Sequence, residues 1–179
     1  MKHVAIALSI ILSFVFPVIN QASAAASSTV MVLDFQLNDL TDLPNAPQEL
    51  ERIRYLTKVY KEVLVKQGVN IVPVANKLKA DMQNQSATYL FDQIEYVAEV
   101  AAESGADYVL IGVALKPTYL FVYPRILLVD VKQKKVVLAK AYQLESSWSD
   151  QNTTANTARK IAEAVATAIK GFDDAKQIP

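Results

Sequence analysis

The sequence predicts one α/β domain in which helices pack on a mixed sheet of five strands. Three observations lead to this prediction. Short apolar runs rich in β-branched residues alternate with stretches of helical periodicity in the first half of the chain. Three strand-like runs then follow one another across short connections, which is typical of an antiparallel meander. A long amphipathic stretch closes the chain, so the predicted order is βαβ(α)αβββα, with helices on one or both faces of the sheet.

The domain is predicted to begin with a buried strand followed by an amphipathic helix. Residues 28–36 (STVMVLDFQ) form a β-rich apolar run, which indicates a strand buried on both faces. Residues 37–47 contain Asp, Asn and Pro and have the composition of a loop. From residue 48 apolar side chains recur every three or four positions until Gly68, a residue type that often ends helices. Residues 69–74 then predict a short strand, which Pro73 places at an edge or a strand end.

The second half of the domain is predicted to hold two helical segments, the meander and a final helix. Residues 75–85 are polar and compatible with a short helix, and a clear helical period runs from residue 88 until Ser104 and Gly105. Strands are predicted at residues 107–115, 119–131 and 136–145, and Pro124 is expected to bulge or split the second of them. The last helix is predicted at residues 152–172, with Gly171 marking its end.

The first residues have the layout of a cleavable export signal. Lys2 and His3 precede an apolar run that ends at residue 19, and Ala22-Ser23-Ala24 supplies the small residues that a signal peptidase recognises. A transmembrane anchor needs about 20 uninterrupted apolar residues, and this run stops short of that length. We therefore expect residues 1–24 to be a signal peptide and residues 25–179 to form a single soluble domain in the periplasm.

The residue types that the chain lacks limit its chemistry. Serine and cysteine hydrolases of the usual kind need histidine, and zinc, copper, haem and iron–sulfur sites depend on histidine or cysteine. The chain has no cysteine, and its single histidine, His3, lies in the predicted signal. The missing cysteine also closes the lipid-anchoring route of bacterial lipoproteins. We expect no cofactor, which leaves carboxylate chemistry, lysine chemistry or the binding of a hard cation through oxygen.

Charge and hydropathy limit the partners. The 18 basic residues balance the 18 acidic residues, so the chain shows no excess of positive charge that would attract nucleic acid or an anionic membrane. Beyond the amino-terminal run, no stretch is apolar for long enough to cross a bilayer. We expect no nucleic-acid partner and no stable membrane insertion after signal cleavage.

Several segments resemble a known family. Residues 30–35 (VMVLDF) with residues 37–39 (LND), residues 105–112 (GADYVLIG) and residues 128–131 (LVDV) resemble the uncharacterised DUF2380/DUF3280 group of small exported bacterial proteins. More remotely, the layout is similar to the amino-terminal domain of TolB and to the lipoprotein CsgG. The resemblance spans nearly the whole mature chain and implies a TolB-N/CsgG-like α/β fold whose relatives bind proteins. It does not fix an activity, because one fold carries many functions. The chain lacks a lipid-anchoring cysteine and a carboxy-terminal propeller, which implies a lone module.

Acidic side chains follow the first strand and form the first candidate site. Asp34, Asp39 and Asp42 could supply oxygen ligands to a cation or line a ligand loop at the carboxyl end of a central strand. Turn and capping chemistry explains the same residues and is the interpretation we favour, since no EF-hand spacing is present. Asp107 and Asp130 lie at strand ends, and acid–base catalysis would require their carboxyl groups to lie within about 5–10 Å of each other in a cleft. We favour structural roles for both.

Aromatic side chains form the second candidate site. Tyr119, Phe121 and Tyr123 alternate on one predicted strand and would share a face of the sheet, either as core beneath the helices or as an exposed patch for a protein partner. The core interpretation is favoured. Arg125 could bind an anion or simply face outwards. Trp148, in a polar segment, is the aromatic residue that we expect to be exposed.

Two classes of function remain. The favoured hypothesis is a non-catalytic periplasmic accessory or binding module that acts through an envelope protein partner. The alternatives are a small-ligand or cation-binding protein and a carboxylate-dependent, metal-assisted hydrolase or transferase. The absence of His and Cys from the mature chain, and the scarcity of glycine for a phosphate-binding loop, favour the first hypothesis.

Overall fold

The computed structural model describes residues 27–144 and 150–176, which contain six strands and five helices. In chain order they are β1 Thr29–Val32, β2 Gln36–Asp39, α1 Pro47–Lys66, β3 Asn70–Val72, α2 Asn76–Asn84, α3 Tyr89–Asp92, α4 Ile94–Glu103, β4 Tyr108–Lys116, β5 Tyr123–Asp130, β6 Lys135–Ala141 and α5 Gln151–Lys176. The predicted signal, residues 1–24, lies outside the described residues. Among the described helices, none has the length and apolar character needed to cross a bilayer.

The sheet is mixed, which confirms the predicted fold class. Its strand order is β3-β1-β4-β5-β6, and β2 pairs with β4 beyond the end of β1. The pairs made by β1, β2 and β3 are parallel, whereas β4, β5 and β6 form an antiparallel meander. The short connections after β4 and β5 allow only the antiparallel arrangement, because a parallel crossover needs a dozen residues or more.

The predicted five-strand count is wrong by one because the first strand is broken by a bulge. Val32 pairs with Leu110 and Gln36 pairs with Val113, so four steps along the first strand match three steps along β4. One extra residue on one strand of a pair is a β-bulge, which bends the strand locally. The chain resumes as β2 inside the segment predicted to be a loop, and Asp34 of the bulge is exposed to solvent.

The bulge is held by aromatic packing on a glycine. The Phe35 backbone N–H donates to Thr57 Oγ1 at 3.1 Å, and the Phe35 ring meets Tyr60 edge-on with centroids 5.8 Å apart. The same ring lies directly over Gly112 of β4, where a Cβ atom would be only 2.7 Å from ring carbons. A glycine at this position is therefore what permits the close approach of Phe35 to the sheet.

Helices cover both faces of the sheet and create two cores. Helices α1 and α5 pack on one face with side chains that include Leu56, Tyr60, Ile161 and Val165. Helices α2, α3 and α4 cover the other face with side chains that include Leu78, Leu90, Val97 and Ala101. The fully buried strands β1 and β4 contribute alternate residues to the two cores, as expected of strands with both faces covered. Strand β6 forms a half-exposed edge.

Several details of the elements differ from the prediction. Residues 119–122 precede β5 instead of belonging to it, and Pro124 lies inside β5 opposite Ala114 without splitting it. The irregularity in this region falls instead at Leu128/Val129, in the pairing of β5 with β6. Helix α5 continues past Gly171 to Lys176, because the end of the helix docks near the start of β4, where Lys176 lies over the Tyr108 ring at 4.8 Å.

Tyr60→Phe is expected to stabilise the protein. The Tyr60 side chain is fully buried and its hydroxyl has no hydrogen-bond partner among the described residues, while burial raises its pKa well above the ordinary value. Removing an unsatisfied buried hydroxyl should increase the free energy of unfolding by about 1 kcal/mol, measured by urea denaturation. Tyr96→Phe is the matched control, because the Tyr96 hydroxyl donates to Asp81 and its loss should be destabilising. A destabilised Tyr60→Phe variant would contradict the expectation.

Candidate functional site

Two loops leave the sheet side by side at the carboxyl ends of β2 and β4. Residues 40–46 follow β2 and residues 117–122 follow β4, and the two strands run parallel with Asp39 opposite Lys116. The backbone N–H of Leu40 donates to the Lys116 carbonyl at 2.9 Å, which joins the roots of the two loops. We call residues 40–46 the first loop, residues 117–122 the second loop, and the two together the tip.

A buried ion pair links the roots of the two loops. Lys116 Nζ lies 3.1 Å from Asp39 Oδ2, and the two side chains are 4% and 0% exposed. A buried ion pair contributes little net stability by itself, but its geometry is fixed because neither charge can be left without a partner. The pair therefore fixes the position of the first loop relative to the second.

Asp39 also organises the first loop internally. Its carboxylate accepts hydrogen bonds from the Thr41 backbone N–H at 3.1 Å, the Thr41 hydroxyl at 2.7 Å and the Asn45 backbone N–H at 3.1 Å. Burial by itself would raise the pKa of Asp39, but the hydrogen bonds from Thr41, Lys116 and Asn45 outweigh it and hold the pKa below its ordinary value. Asn45 adopts a positive φ of 61°, a conformation that Asn tolerates better than most residues. The loop is thus a hydrogen-bonded turn built around one carboxylate.

The second loop is held at both ends. Lys116 at its start places Nζ 5.6 Å from the centre of the Tyr119 ring, and Val122 at its end is buried and accepts a hydrogen bond from the Leu144 N–H at 2.8 Å. The Phe121 ring stacks on Tyr123, the first residue of β5, with centroids 6.2 Å apart. These contacts hold the loop backbone while leaving its central side chains in solvent.

Apolar side chains project from the tip into solvent. Seven large hydrophobic residues of the described chain are exposed, and five of them belong to the tip: Leu40 (62% exposed), Leu43 (73%), Tyr119 (58%), Leu120 (76%) and Phe121 (39%). The other two, Val65 and Val136, lie apart on α1 and β6. Single exposed apolar residues need no explanation, but their concentration on two adjoining loops does.

The structure separates the three aspartates of the predicted acidic site. Asp34 is exposed in the bulge and forms an ion pair with Lys61, whereas the Asp39 side chain is buried at the root of the tip and Asp42 is exposed in the first loop. The oxygens of Asp39 are occupied by Thr41, Asn45 and Lys116. Within the described ranges, no three Asp, Glu, His or Cys side chains cluster in a way that could hold a metal ion.

Asp107 and Asp130 lie at the opposite end of β4 from Asp39. Asp107 accepts hydrogen bonds from the Thr29 N–H at 2.7 Å and the Thr29 hydroxyl at 2.9 Å, and buried Asp130 accepts one from the Gln133 N–H at 2.7 Å. Each carboxylate anchors a strand end or a turn. Because β4 is nine residues long, they lie about 30 Å from the root of the tip at 3.3 Å per residue.

The aromatic prediction is wrong in its geometry. Tyr119 and Phe121 were expected on one strand with Tyr123 and, in the favoured interpretation, in the core, but both lie in the second loop and are exposed. Only Tyr123 is in a strand, because the pairing of β5 begins there. Arg125 faces outwards over the Phe91 ring at 5.2 Å. Trp148 lies outside the described residues.

The aliphatic members of the tip and its lysine are functional candidates that the sequence pattern did not indicate. Leu40 and Leu43 lie in a predicted loop, Leu120 lies in a predicted strand, and Lys116 lies in the connection between two predicted strands. For Leu40 and Leu43 the available signal was their context, since they are apolar residues within LTDLPN, a segment of loop composition. Apolar side chains in a loop rarely find a place in the core, because loops run over the protein surface.

Residues 28–165 match the model of the DUF3280 family, described as a protein of unknown function (DUF2380). The chain belongs to this family. The resemblance inferred from residues 30–35 and 105–112 is thereby confirmed for the DUF2380/DUF3280 group. No curated protein matches the chain.

Three solved structures of bacterial proteins are similar in fold to this DUF3280 member. The PelC dodecamer from Paraburkholderia phytofirmans is 15% identical, with 79% of this chain and 86% of that chain covered and a TM-score of 0.46. Lipoprotein GNA1162 from Neisseria meningitidis is 16% identical, with 80% and 96% covered and a TM-score of 0.47. TolB from Acinetobacter baumannii is 16% identical, with 81% of this chain but only 29% of TolB covered and a TM-score of 0.48. Likeness at this level concerns the fold and carries no function with it.

Proposed function

We propose that the protein is an exported, non-catalytic accessory module that binds an envelope protein through the tip. The observation that carries the proposal is the concentration of five exposed apolar side chains on two loops whose roots are joined by the buried Asp39–Lys116 pair. The partner is expected to present an apolar pocket that accepts Tyr119 and Leu120. Export rests on the predicted signal at residues 1–24.

Rigidity supports binding by the tip. A loop that must be ordered on binding loses affinity to conformational entropy, whereas a loop already fixed in place does not. The Asp39 carboxylate fixes the first loop through three hydrogen bonds, and Lys116 and Val122 hold the second. Tyrosine is enriched at the centres of protein interfaces, where its ring contributes large contact area at little entropic cost. Tyr119 is placed for such a role.

The engagement of the carboxylates supports a non-catalytic role. A carboxylate-dependent hydrolase needs two carboxyl groups facing one cleft. In this structure Asp34 is paired with Lys61, Asp39 with Lys116, and Asp107 and Asp130 with backbone groups at the far end of β4. Each of these four groups already has a structural partner, which favours binding over acid–base chemistry.

Photocrosslinking in the periplasm tests the proposal. A photoreactive amino acid placed at Leu120 or at Leu43 should give the same discrete protein adduct in living cells. The matched control is Val65, which is 59% exposed on α1 and apolar but distant from the tip. The adduct should be absent from the Val65 position. Equal labelling from all three positions, or no protein adduct from either tip position, would rule out the tip as a docking surface.

Once the adduct is identified, Leu120→Asp should weaken binding to the purified partner at least about 30-fold, the cost of removing a central interface residue. The thermal midpoint of Leu120→Asp should stay close to that of the parent, because Leu120 is 76% exposed and contributes little to the core. An unchanged affinity would show that the crosslink reports proximity without contact.

A further inference from the structure

The outer edge of β2 carries backbone groups without partners. Strand β2 pairs only with β4, and β3 stops beside β1, where Asn70–Val72 face Thr29–Met31. The Leu40 N–H points towards β4, so by the two-residue alternation of a strand the backbone groups of Leu37 point the other way. No described residue forms a hydrogen bond with the backbone N–H or C=O of Leu37. The outer edge of β2 is therefore open to pairing with a further strand.

A groove runs along this open edge. Its two cavities, of about 330 Å³ and 520 Å³, meet at Gln36, whose side-chain amide donates to the Met82 carbonyl at 2.8 Å. Helix α1 forms one wall through Leu50, Arg54 and Lys61, and the α2 region forms the other through Lys79 and Gln85. The β6 edge of the sheet is different, because it is exposed and carries Lys135 and Lys140, and lysines discourage strand pairing.

The groove carries positive charge. Arg54, Lys61 and Lys79 line it, and the only carboxylate in its lining is Asp34, which is already paired with Lys61. Arg54 and Lys79 are exposed and form no ion pair with any residue in the described part of the chain. An occupant with carboxylates would therefore be favoured over a basic one. Leu37, Leu50 and Ile53 supply an apolar floor between the charged positions.

We propose that an extended acidic segment of a partner protein binds in this groove as an added strand on β2. Its backbone would pair with the outward N–H and C=O of Leu37. Side chains on one face of the added strand would meet the α1 wall and Arg54, and those on the other face would meet the α2 wall and Lys79. Main-chain pairing gives affinity in such complexes and the side-chain pockets give selectivity. Strand β2 has four residues, so a segment of about four to six residues spans the groove. This surface is separate from the tip in residues and in chemistry, and it stands on its own observations.

NMR titration of the exported protein with three labelled peptides tests the proposal. The first peptide is Val-Val-Glu-Glu-Val-Val, whose two Glu side chains point to opposite faces of an extended strand. The second peptide has Lys in place of both Glu residues, and the third is the first with N-methylated amides along the edge that would face β2. The acidic peptide should shift the amide resonances of residues 35–39 and slow the exchange of the Leu37 amide at least about tenfold. The basic and N-methylated peptides should bind at least about tenfold more weakly.

Charge-reversal variants provide a second test of the proposal. Arg54→Glu and Lys79→Glu should each weaken the acidic peptide about tenfold, whereas Lys160→Glu, an exposed lysine on α5 outside the groove, should leave its affinity unchanged. Equal binding of acidic and basic peptides, shifts that map elsewhere, or no binding at millimolar peptide would overturn the proposal. So would a Leu37 amide that is already protected in the free protein. None of these outcomes bears on crosslinking from Leu120, so the two proposals fail separately.

Discussion

Replacing Asp39 with alanine should lower the free energy of unfolding by about 3–5 kcal/mol, because Lys116 would be left buried without its counter-charge. The variant also loses the three hydrogen bonds that fix the first loop. Urea denaturation followed by circular dichroism measures the change. Asp42→Ala is the matched control from the same loop, since Asp42 is exposed and should change stability by less than about 0.5 kcal/mol.

The interaction between Asp39 and Lys116 can be isolated by a double-mutant cycle. Lys116→Met alone should cost less than Asp39→Ala, because Asp39 keeps its bonds to Thr41 and Asn45. In the double variant the buried positive charge is gone, and much of the loss caused by Asp39→Ala should be recovered. Additive single-variant effects would show that the two side chains do not depend on each other.

Lowering the pH should reduce the difference in the free energy of unfolding between the parent protein and Asp39→Ala. The pKa of Asp39 lies below its ordinary value of 3.8 in the folded protein. A carboxyl group whose pKa is lowered by folding stabilises the protein fully above its unfolded pKa, and the contribution is lost as pH falls through the folded pKa. The stability difference should therefore be complete at neutral pH and shrink below about pH 4. A difference that persists unchanged at pH 2 would mean that the charge of Asp39 contributes nothing.

Phe35→Ala should lower the free energy of unfolding by about 3–5 kcal/mol, the usual loss when a buried aromatic side chain is replaced by alanine. The Phe35 ring packs on both Tyr60 and Gly112, so its loss removes the contacts that hold the bulge against the sheet. Gly112→Ala should cost about 1–3 kcal/mol in the parent, because the added methyl group overlaps the ring carbons. Without that overlap, alanine would be favoured over glycine inside a strand by about 0.5–1 kcal/mol.

The sign of the stability change caused by Gly112→Ala therefore tests whether the Phe35 ring packs on Gly112. In the Phe35→Ala background the ring is absent, and Gly112→Ala should become neutral or mildly stabilising. Thermal unfolding of the parent, the two single variants and the double variant completes the comparison. The opposite result is an equal loss of stability on Gly112→Ala in the parent and in the Phe35→Ala background. That result would show that the glycine is required by the backbone conformation and not by contact with the Phe35 ring.

The main elements of the fold could be predicted because their patterns are local. The helical period of α1 and the apolar runs of β4 and β5 are visible within ten to twenty residues, and the short connections of the meander imply its antiparallel pairing. Strand β2 was missed because a bulge of one residue interrupts the pattern, and the strand that follows is only four residues long. Nothing in the local sequence distinguishes such a strand from a loop.

The tip could be predicted only in part because its key contact is distant in sequence. Turn chemistry was the favoured interpretation of Asp39, and its bonds to Thr41 and Asn45 are of this kind. Its pairing with Lys116, 77 residues away, depends on the parallel register of β2 and β4. Tyr119 and Phe121 alternate as they would in a strand, yet the pairing of β5 begins after them, so periodicity alone placed them in the wrong environment.

The bulge between β1 and β2 also reverses which positions face which core. Before it, the even-numbered Val30 and Val32 face the core formed by α1 and α5, and after it the odd-numbered Phe35 and Leu37 do so. A single-residue deletion at Asp34 would remove the extra residue and restore simple alternation, with Phe35 and Leu37 still facing the core formed by α1 and α5. Between residues 33 and 39 the chain therefore holds one residue more than regular pairing needs, and only a second deletion would turn the later side chains of the strand to the opposite layer.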